Sequence, residues 1–302
     1  MGAVQVSSPD KVLFPDDGIT KAEVVDHYRS VAPAMLEFAA GRPLTLQRFP
    51  RGINESGFMQ KNAADHFPPS ILRHVVAKRS GGDTVYPVVT EPDDIAWLAN
   101  QNTITFHMWL SSVDHPAEPA WLVIDLDPPE DHATEVRSAT RAVRDVLDGF
   151  DLDGFPVATG SKGYHVWVPL RPGITMGDAG TAARALAGLV AAHHPETMTT
   201  EFLKRDRAGR VFVDWLRNGP TATTVVPYSL RPRPRAPVAM PMHWGELEDS
   251  RPDAWTLGSI SDRLDAVPPV PPQNLPTAAI VRAARDAGVD LDTPHDRFGR
   301  RR

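Results

Sequence analysis

The chain has 302 residues, 41% of them hydrophobic and 23% charged, and a formal net charge of −6. That composition excludes a disordered chain, and no apolar run approaches the ~20 residues that a membrane-spanning helix needs. There is no cysteine, which excludes thiolate zinc and iron–sulfur chemistry. The start, Met1-Gly-Ala-Val-Gln-Val-Ser-Ser8, lacks a basic region followed by an apolar core, so a cytoplasmic protein is expected.

Thr20 with Glu23 three residues on forms a capping box, and Val24, Tyr28, Val31 and Met35 follow at helical spacing. This predicts an early helix that Pro33 kinks or divides. Residues 44 to 90 alternate short strand-like runs with turn residues, which predicts an irregular α/β lobe at the N-terminus. Trp121-Leu-Val-Ile-Asp-Leu-Asp-Pro128 predicts a strand with Asp125 and Asp127 on one face, roughly 6 to 7 Å apart, and Leu122, Ile124 and Leu126 on the other. An amphipathic helix follows, with Val136, Ala139, Val143, Val146 and Leu147 on one face. The strand Phe155–Thr159 turns through Gly160-Ser-Lys-Gly163 into the strand Tyr164–Val168. A helix around 178–193 then precedes Val211-Phe-Val-Asp-Trp215, a strand that carries Asp214. This order predicts a sheet backed by helices, with the carboxylates rising from the uncovered face. The stiff run Val267-Pro-Pro-Val-Pro-Pro272, a short helical stretch and the basic terminus Arg300-Arg-Arg302 read as an extension.

Carboxylates crowded in an apolar setting repel one another and resist desolvation, so they call for a divalent cation. Hard cations prefer oxygen ligands, which points to Mn2+ or Mg2+, and two-metal sites for in-line displacement at phosphorus use such clusters. The turn 160–163 can converge backbone N–H groups into a nest for anionic oxygens, with the Lys162 charge and the Ser161 hydroxyl added. Taken alone, the tetrapeptide also fits a plain hairpin turn. Between Lys204 and Arg235 stand eight basic residues (204, 205, 207, 210, 217, 231, 233 and 235) against the acids Asp206 and Asp214. Such local charge suits a polyphosphate although the net charge is negative. His193 and His194 end a helix before Pro195 without partners at ligand spacing and read as a satisfied or solvated pair; Trp109, Trp121, Trp167 and Trp215 read as core.

Taken together, Asp125-Leu-Asp127, Ser161-Lys-Gly-Tyr-His165 and Asp214 resemble the three motifs of the archaeo-eukaryotic primase superfamily. Within it, the sequence resembles the polymerase domain of bacterial ligase D, through Lys11-Val-Leu-Phe-Pro15, Gly41-Arg-Pro43, Gln60-Lys61, Phe212-Val-Asp-Trp215 and Pro227-Tyr-Ser-Leu-Arg231. The likeness covers most of residues 8 to 265. It implies an α/β (α+β) fold with a mixed, largely antiparallel central sheet, an RRM-like catalytic core flanked by helices and an N-terminal lobe. The expected division is a primase-polymerase domain over 1–267, with the lobe to about 100 and the core over about 101–267, and a Pro-rich extension over 268–302.

The resemblance further implies a template-dependent nucleotidyltransferase that fills short gaps or extends ends, using NTPs or dNTPs and two Mn2+ or Mg2+ ions. Asp125 and Asp127 are expected to hold both ions and Asp214 one of them. Thr159, Ser161, Lys162, Lys204, Arg207 and Arg231 are expected on the triphosphate, His107 and His165 near the nucleotide, and Phe58 stacked on a base. Lys11 and Lys21 match a pocket for the 5′-phosphate of a downstream strand, and Arg48 and Lys61 match basic positions near the template. Four positions depart from the pattern: Met59 for an aromatic, Ser8 for asparagine, Thr159 for serine and Arg217 for glutamine. Nuclease and ligase domains are lacking, so a monomeric stand-alone polymerase is expected, meeting a Ku-type end-bridging protein and a ligase in trans on nucleoid DNA. A metal-dependent phosphodiesterase and a non-catalytic DNA-end-binding module are the alternatives. The concentration of triphosphate binders speaks against the former, and the intact acids and loop against the latter.

Overall fold

In the computed structural model, which describes residues 4–78, 80–129, 133–260, 263 and 270–293, the capping box read at Thr20 forms. The Thr20 hydroxyl accepts from the Glu23 N–H at 3.3 Å, and the Glu23 carboxylate accepts from the Thr20 N–H at 2.7 Å. A hairpin of β1 (Val12–Phe14) and β2 (Ile19–Thr20) leads into α1 (Lys21–Ala39). Val24, Tyr28, Val31 and Met35 are buried along α1, joined by Val25, Ala32 and Phe38. The helix runs through Pro33 undivided, so of the two expected effects of Pro33 a break does not occur. Proline removes one backbone hydrogen bond, but Pro33 lies on the exposed side and the buried stripe on both sides of it holds the helix together.

Strands β3 (Leu44–Arg48), β4 (Phe58–Gln60), β5 (Leu72–Ala77) and β6 (Asp83–Val88), helix α2 (Pro92–Asn100) and strand β7 (Thr103–Met108) follow. β3 pairs antiparallel with β4 and β7, and β5 with β6. These elements belong to the first of two units, which comprises Met1–Asp114, Thr223–Met240 and Asp253–Ala266.

The second unit comprises His115–Ala222, Pro241–Pro252 and Val267–Arg302. It is built on β8 (Trp121–Asp127), α3 (Ala133–Asp148), β9 (Phe155–Ala158), β10 (Tyr164–Pro169), α4 (Met176–His193), β11 (Met198–Thr199) and β12 (Val211–Asp214). The strands lie in the order β11-β12-β8-β10-β9, with β8 antiparallel to both β10 and β12. Strand–helix–strand–strand–helix–strand with β8 and β10 at the centre is the split βαβ arrangement of RRM-like folds. Leu122, Ile124 and Leu126 are buried, as are Val136, Ala139, Val143 and Leu147 of α3 and Ala182, Ala183, Leu186 and Val190 of α4. Strand alternation leaves Asp125 and Asp127 on the opposite face of β8, as expected.

After β12 the chain rejoins the first unit, where β13 (Thr224–Val225) pairs with β7. The boundary therefore differs from the single division near residue 100 expected from sequence. The reason is non-local pairing: the Ser229 hydroxyl accepts from the Phe106 N–H at 2.8 Å, and the Tyr28 hydroxyl accepts from the Leu230 N–H at 2.9 Å while donating to the Ile104 carbonyl. Residues 270–293 pack into the second unit. Gln273 joins β10 through Arg171 N–H to Gln273 O at 2.9 Å and Gln273 N–H to Pro169 O at 3.0 Å, and α5 (Thr277–Asp286) buries Ile280 and Ala284. Residues 267–269 of the Pro-rich run and the terminus 300–302 lie outside the described residues.

His27 of α1 is buried, with Nε2 3.0 Å from the Tyr228 carbonyl, and burial pushes its pKa from the usual 6.5 down to about 4. A histidine kept neutral by the fold contributes stability above the unfolded pKa and loses it as pH falls through that value towards the folded one. Wild type is therefore expected to lose up to roughly 3 kcal/mol relative to His27→Gln between pH 7 and pH 4. Urea midpoints at pH 7, 6, 5 and 4 check this, and parallel pH curves for the two proteins would refute it.

Candidate active site

Register assembles the site. On β8, Asp125 stands opposite His165 of β10 on one side and Asp214 of β12 on the other, and Asp127 stands opposite Phe212. Directly opposed residues of neighbouring strands project to the same face, so a pattern written in three separate segments becomes one cluster. One oxygen from each of Asp125, Asp127 and Asp214 lies within 4.8 Å of the other two.

The charges of this cluster are unevenly settled. Burial pushes the Asp125 carboxyl up, but His165 and Arg217 outweigh it and hold the group below the usual carboxylate range. The His165 Nε2 is 3.4 Å from Asp125 Oδ1, and the Arg217 Nε is 2.9 Å from Asp125 Oδ2. The charge of Asp125, then burial, push Asp127 up to about 7. Burial, then Asp125, push Asp214 up to about 6. Asp214 also accepts from the Leu216 N–H through Oδ1 at 2.7 Å, which leaves Oδ2 facing its neighbours. Three carboxylates that cannot all ionise cheaply are a fit for divalent cations. Oxygen ligands of one Mg2+ lie at most about 4.2 Å apart, and the three carboxylate oxygens here lie within 4.8 Å of one another.

The loop 159–163 is drawn tight by its own atoms. The Thr159 N–H and hydroxyl both donate to the Gly163 carbonyl, at 3.1 and 2.7 Å, and the Gly160 N–H donates to the Pro252 carbonyl at 2.8 Å. Gly160 has φ +65°, which favours glycine. The one hydroxyl proton of Thr159 is thus committed to closing the turn. Lys162 is exposed and Ser161 half-buried at its tip.

The basic run divides. Lys204 and Arg205 lie exposed on a short 3-10 turn, while Arg231, Arg233 and Arg235 belong to the first unit. Arg207 is buried, its guanidinium 4.0 Å from the centre of the Phe212 ring and donating to the Phe202 carbonyl at 2.8 Å. Burial lowers its pKa, and Asp127, Asp214 and Asp125 act against that, so it lies within the field of the acids. Arg210 is spent on the Arg207 and Pro195 carbonyls at 2.9 and 3.2 Å. His193 and His194 are exposed, Trp167 and Trp109 are buried and Trp121 and Trp215 are half-buried, so none of the six joins the cluster.

The first unit groups two further sets. Lys21 is only 3% exposed, its ammonium donating to the Ser7 hydroxyl at 2.8 Å, and its pKa is lowered by burial, then by Lys11 and Arg48. The Lys11 ammonium donates to the Pro50 carbonyl. Among the described residues no carboxylate pairs with either lysine. Arg48 lies 5.5 Å from the centre of the Phe58 ring and donates to Gln60 Oε1 at 2.6 Å. Phe58 and Met59 are half-exposed, Lys61 is exposed beyond β4, and His107 of β7 and Arg231 are half-buried.

Two residues that carry the geometry were not read as site residues. Arg217 was visible as a member of the basic run and as a departure from pattern, and its spacing three after Asp214 was the signal that could have placed it. Asn218 gave none: its side-chain carbonyl accepts from the Val123 N–H at 2.8 Å, and its amide donates to the Val123 carbonyl at 2.7 Å and the Trp215 carbonyl at 2.8 Å. It pins the turn that bears Arg217 onto β8, two residues from Asp125.

Known proteins share this framework. The family model described as LigD, primase-polymerase domain, matches residues 20–269. The multifunctional non-homologous end joining protein LigD of Mycolicibacterium smegmatis is 37% identical over 265 residues, covering 87% of this chain and 35% of that protein. The bifunctional non-homologous end joining protein LigD of Bacillus subtilis is 30% identical over 265 residues, 86% of this chain and 42% of that one. The chain thus spans about two-fifths or less of the length of these relatives. Among solved structures, the polymerase domain from Mycobacterium tuberculosis ligase D in complex with DNA superposes with a TM-score of 0.81 at 35% identity, covering 88% of this chain and 95% of that one. A family model spanning most of the chain and a structural match over 88% of it place the motifs in one context: the chain belongs to the LigD primase-polymerase domain family.

Proposed function

We propose that this chain is a template-dependent nucleotidyltransferase that fills short gaps or extends ends in DNA repair by non-homologous end joining. The observation that carries the reading is the Asp125, Asp127 and Asp214 cluster on adjacent strands. Asp125, Asp127 and Asp214 would hold two Mn2+ or Mg2+ ions, which when bound stabilise the attacking 3′-oxygen and the departing pyrophosphate oxygen. His165 and Arg217 keep Asp125 ionised and oriented. Ser161 and Lys162 at the loop tip, with Lys204, Arg207 and Arg231, bind the triphosphate oxygens, and Thr159 holds the loop in shape. His107 meets the sugar side of the nucleotide, and Phe58 gives a base a ring to stack on.

Lys11 and Lys21 bind the 5′-phosphate of a downstream strand. A buried lysine beside two other cations is costly unless an anion shares the site, and this supports the assignment. Arg48 and Lys61 lie along the template strand. A Ku-type end-bridging protein and a DNA ligase are the proposed partners, on the strength of the end-joining names of the relatives, and the chain acts on nucleoid DNA in the cytoplasm.

The test is a primer over a single-nucleotide gap with and without a 5′-phosphate, supplied with Mn2+ and each NTP and dNTP. Wild type is expected to extend the primer, and Lys11→Ala to lose about tenfold on the phosphorylated gap while matching wild type on the unphosphorylated one. Release of nucleotides from DNA without added triphosphate would make the site a phosphodiesterase instead. Equal losses on both gaps would remove Lys11 from the phosphate pocket.

A further inference from the structure

The Asp125–Asp214 edge of the cluster already carries a cation. Arg217 Nε is 2.9 Å from Asp125 Oδ2 and 3.9 Å from Asp214 Oδ2, so one guanidinium faces the two oxygens that strand pairing sets side by side. The side chains of Asp125 and Asp214 are 6% and 8% exposed, whereas that of Arg217 is 40% exposed. The acids are fixed by the sheet, and the arginine reaches them from the solvent side. Its backbone is held on β8 through the neighbouring Asn218, whereas its side chain is partly open to solvent.

A divalent ion that takes Asp125 Oδ2 must claim an oxygen that Arg217 now holds, and two cations of total charge +3 cannot share it at hydrogen-bond distance without strong repulsion. We infer that Arg217 is an internal counter-cation, which neutralises the Asp125–Asp214 edge before metal binds and is displaced towards solvent when the ion enters. This rests on the reading of the three aspartates as a metal site. Arg217 is a positioning residue: in the metal-free protein it holds the acids together against their repulsion, and it raises the metal concentration needed to load that edge. The same exchange favours loading when a triphosphate arrives, because its negative charge offers the released guanidinium a partner.

The experiment reads Mn2+ binding directly, by the paramagnetic resonance signal of the free ion, in wild type, Arg217→Gln and Arg217→Lys, with thermal melts in EDTA and in Mn2+. Arg217→Gln is expected to bind Mn2+ at least tenfold more tightly than wild type, to melt several degrees lower in EDTA, and to gain more from Mn2+. Arg217→Lys keeps the charge without the planar fork and is expected to fall between the two. Equal or weaker Mn2+ binding by Arg217→Gln overturns the inference whatever the primer-extension assay shows. Tighter binding with no extension by wild type leaves the inference standing and removes the polymerase reading alone.

Discussion

Asp125→Ala is expected to reduce primer extension by at least ~10³-fold, or ~4 kcal/mol of transition-state stabilisation, while the protein stays folded. Asp125 is the residue on which the site converges: His165 and Arg217 both aim at it, and it stands between Asp214 on β12 and His165 on β10. Alanine removes the one carboxylate that is held ionised, and with it the oxygens shared with both neighbours. The fold should tolerate the change, because removing Asp125 also removes the main cause of the raised pKa of Asp127. Single-turnover extension of a gapped primer, paired with a thermal melt, separates the two effects. Extension within tenfold of wild type would show that the cluster is not the reacting centre.

Gly163→Ala is expected to cost about 3 kcal/mol or more and to abolish activity with it. A Cβ at Gly163 would lie 2.0 Å from the Leu126 carbonyl oxygen, a contact with backbone that no side-chain rotation relieves. Leu126 pairs with Tyr164, so the clash falls at the joint where the loop enters β10 beside the two aspartates of β8. To accommodate it, β8 and β10 must part where they hold Asp125 opposite His165. At Gly209 a Cβ meets nothing within 4 Å, although φ is +76°, so Gly209→Ala should cost only the backbone strain of about 1 kcal/mol. Denaturant midpoints of the two variants make the comparison, and equal losses would mean that the tight approach at Gly163 carries no special weight.

What could be read in advance was what is written locally or repeated with a period. The α1 cap, the buried stripe of α3 and the single face of Asp125 and Asp127 follow from spacing alone. The company of Asp214 was legible as chemistry, through the resemblance, but its direct opposition to Asp125 is a matter of strand register. Long-range placement was not legible. Eight basic residues close in sequence fall into two units because β13 returns to pair with β7, and no local pattern announces that return. That Pro33 does not divide α1 was not legible, because propensity says nothing of the buried contacts that sustain a helix on either side of a proline. Asn218 escaped notice because it matters through three hydrogen bonds to backbone atoms, two of them on β8, a partner that sequence does not name.

The interleaving of the two units sets an order on synthesis. The first unit begins ahead of the second along the chain, yet Tyr28 and His27 find their partners at Ser229, Leu230 and Tyr228, some two hundred residues later. The strand–helix core from Trp121 to Asp214 is continuous in the chain, and emergence from the ribosome completes it while α1 still lacks its closing segment. α1, made early, therefore waits for a segment that follows the strand–helix core, and its apolar stripe is the surface a nascent chain must shelter in the interval.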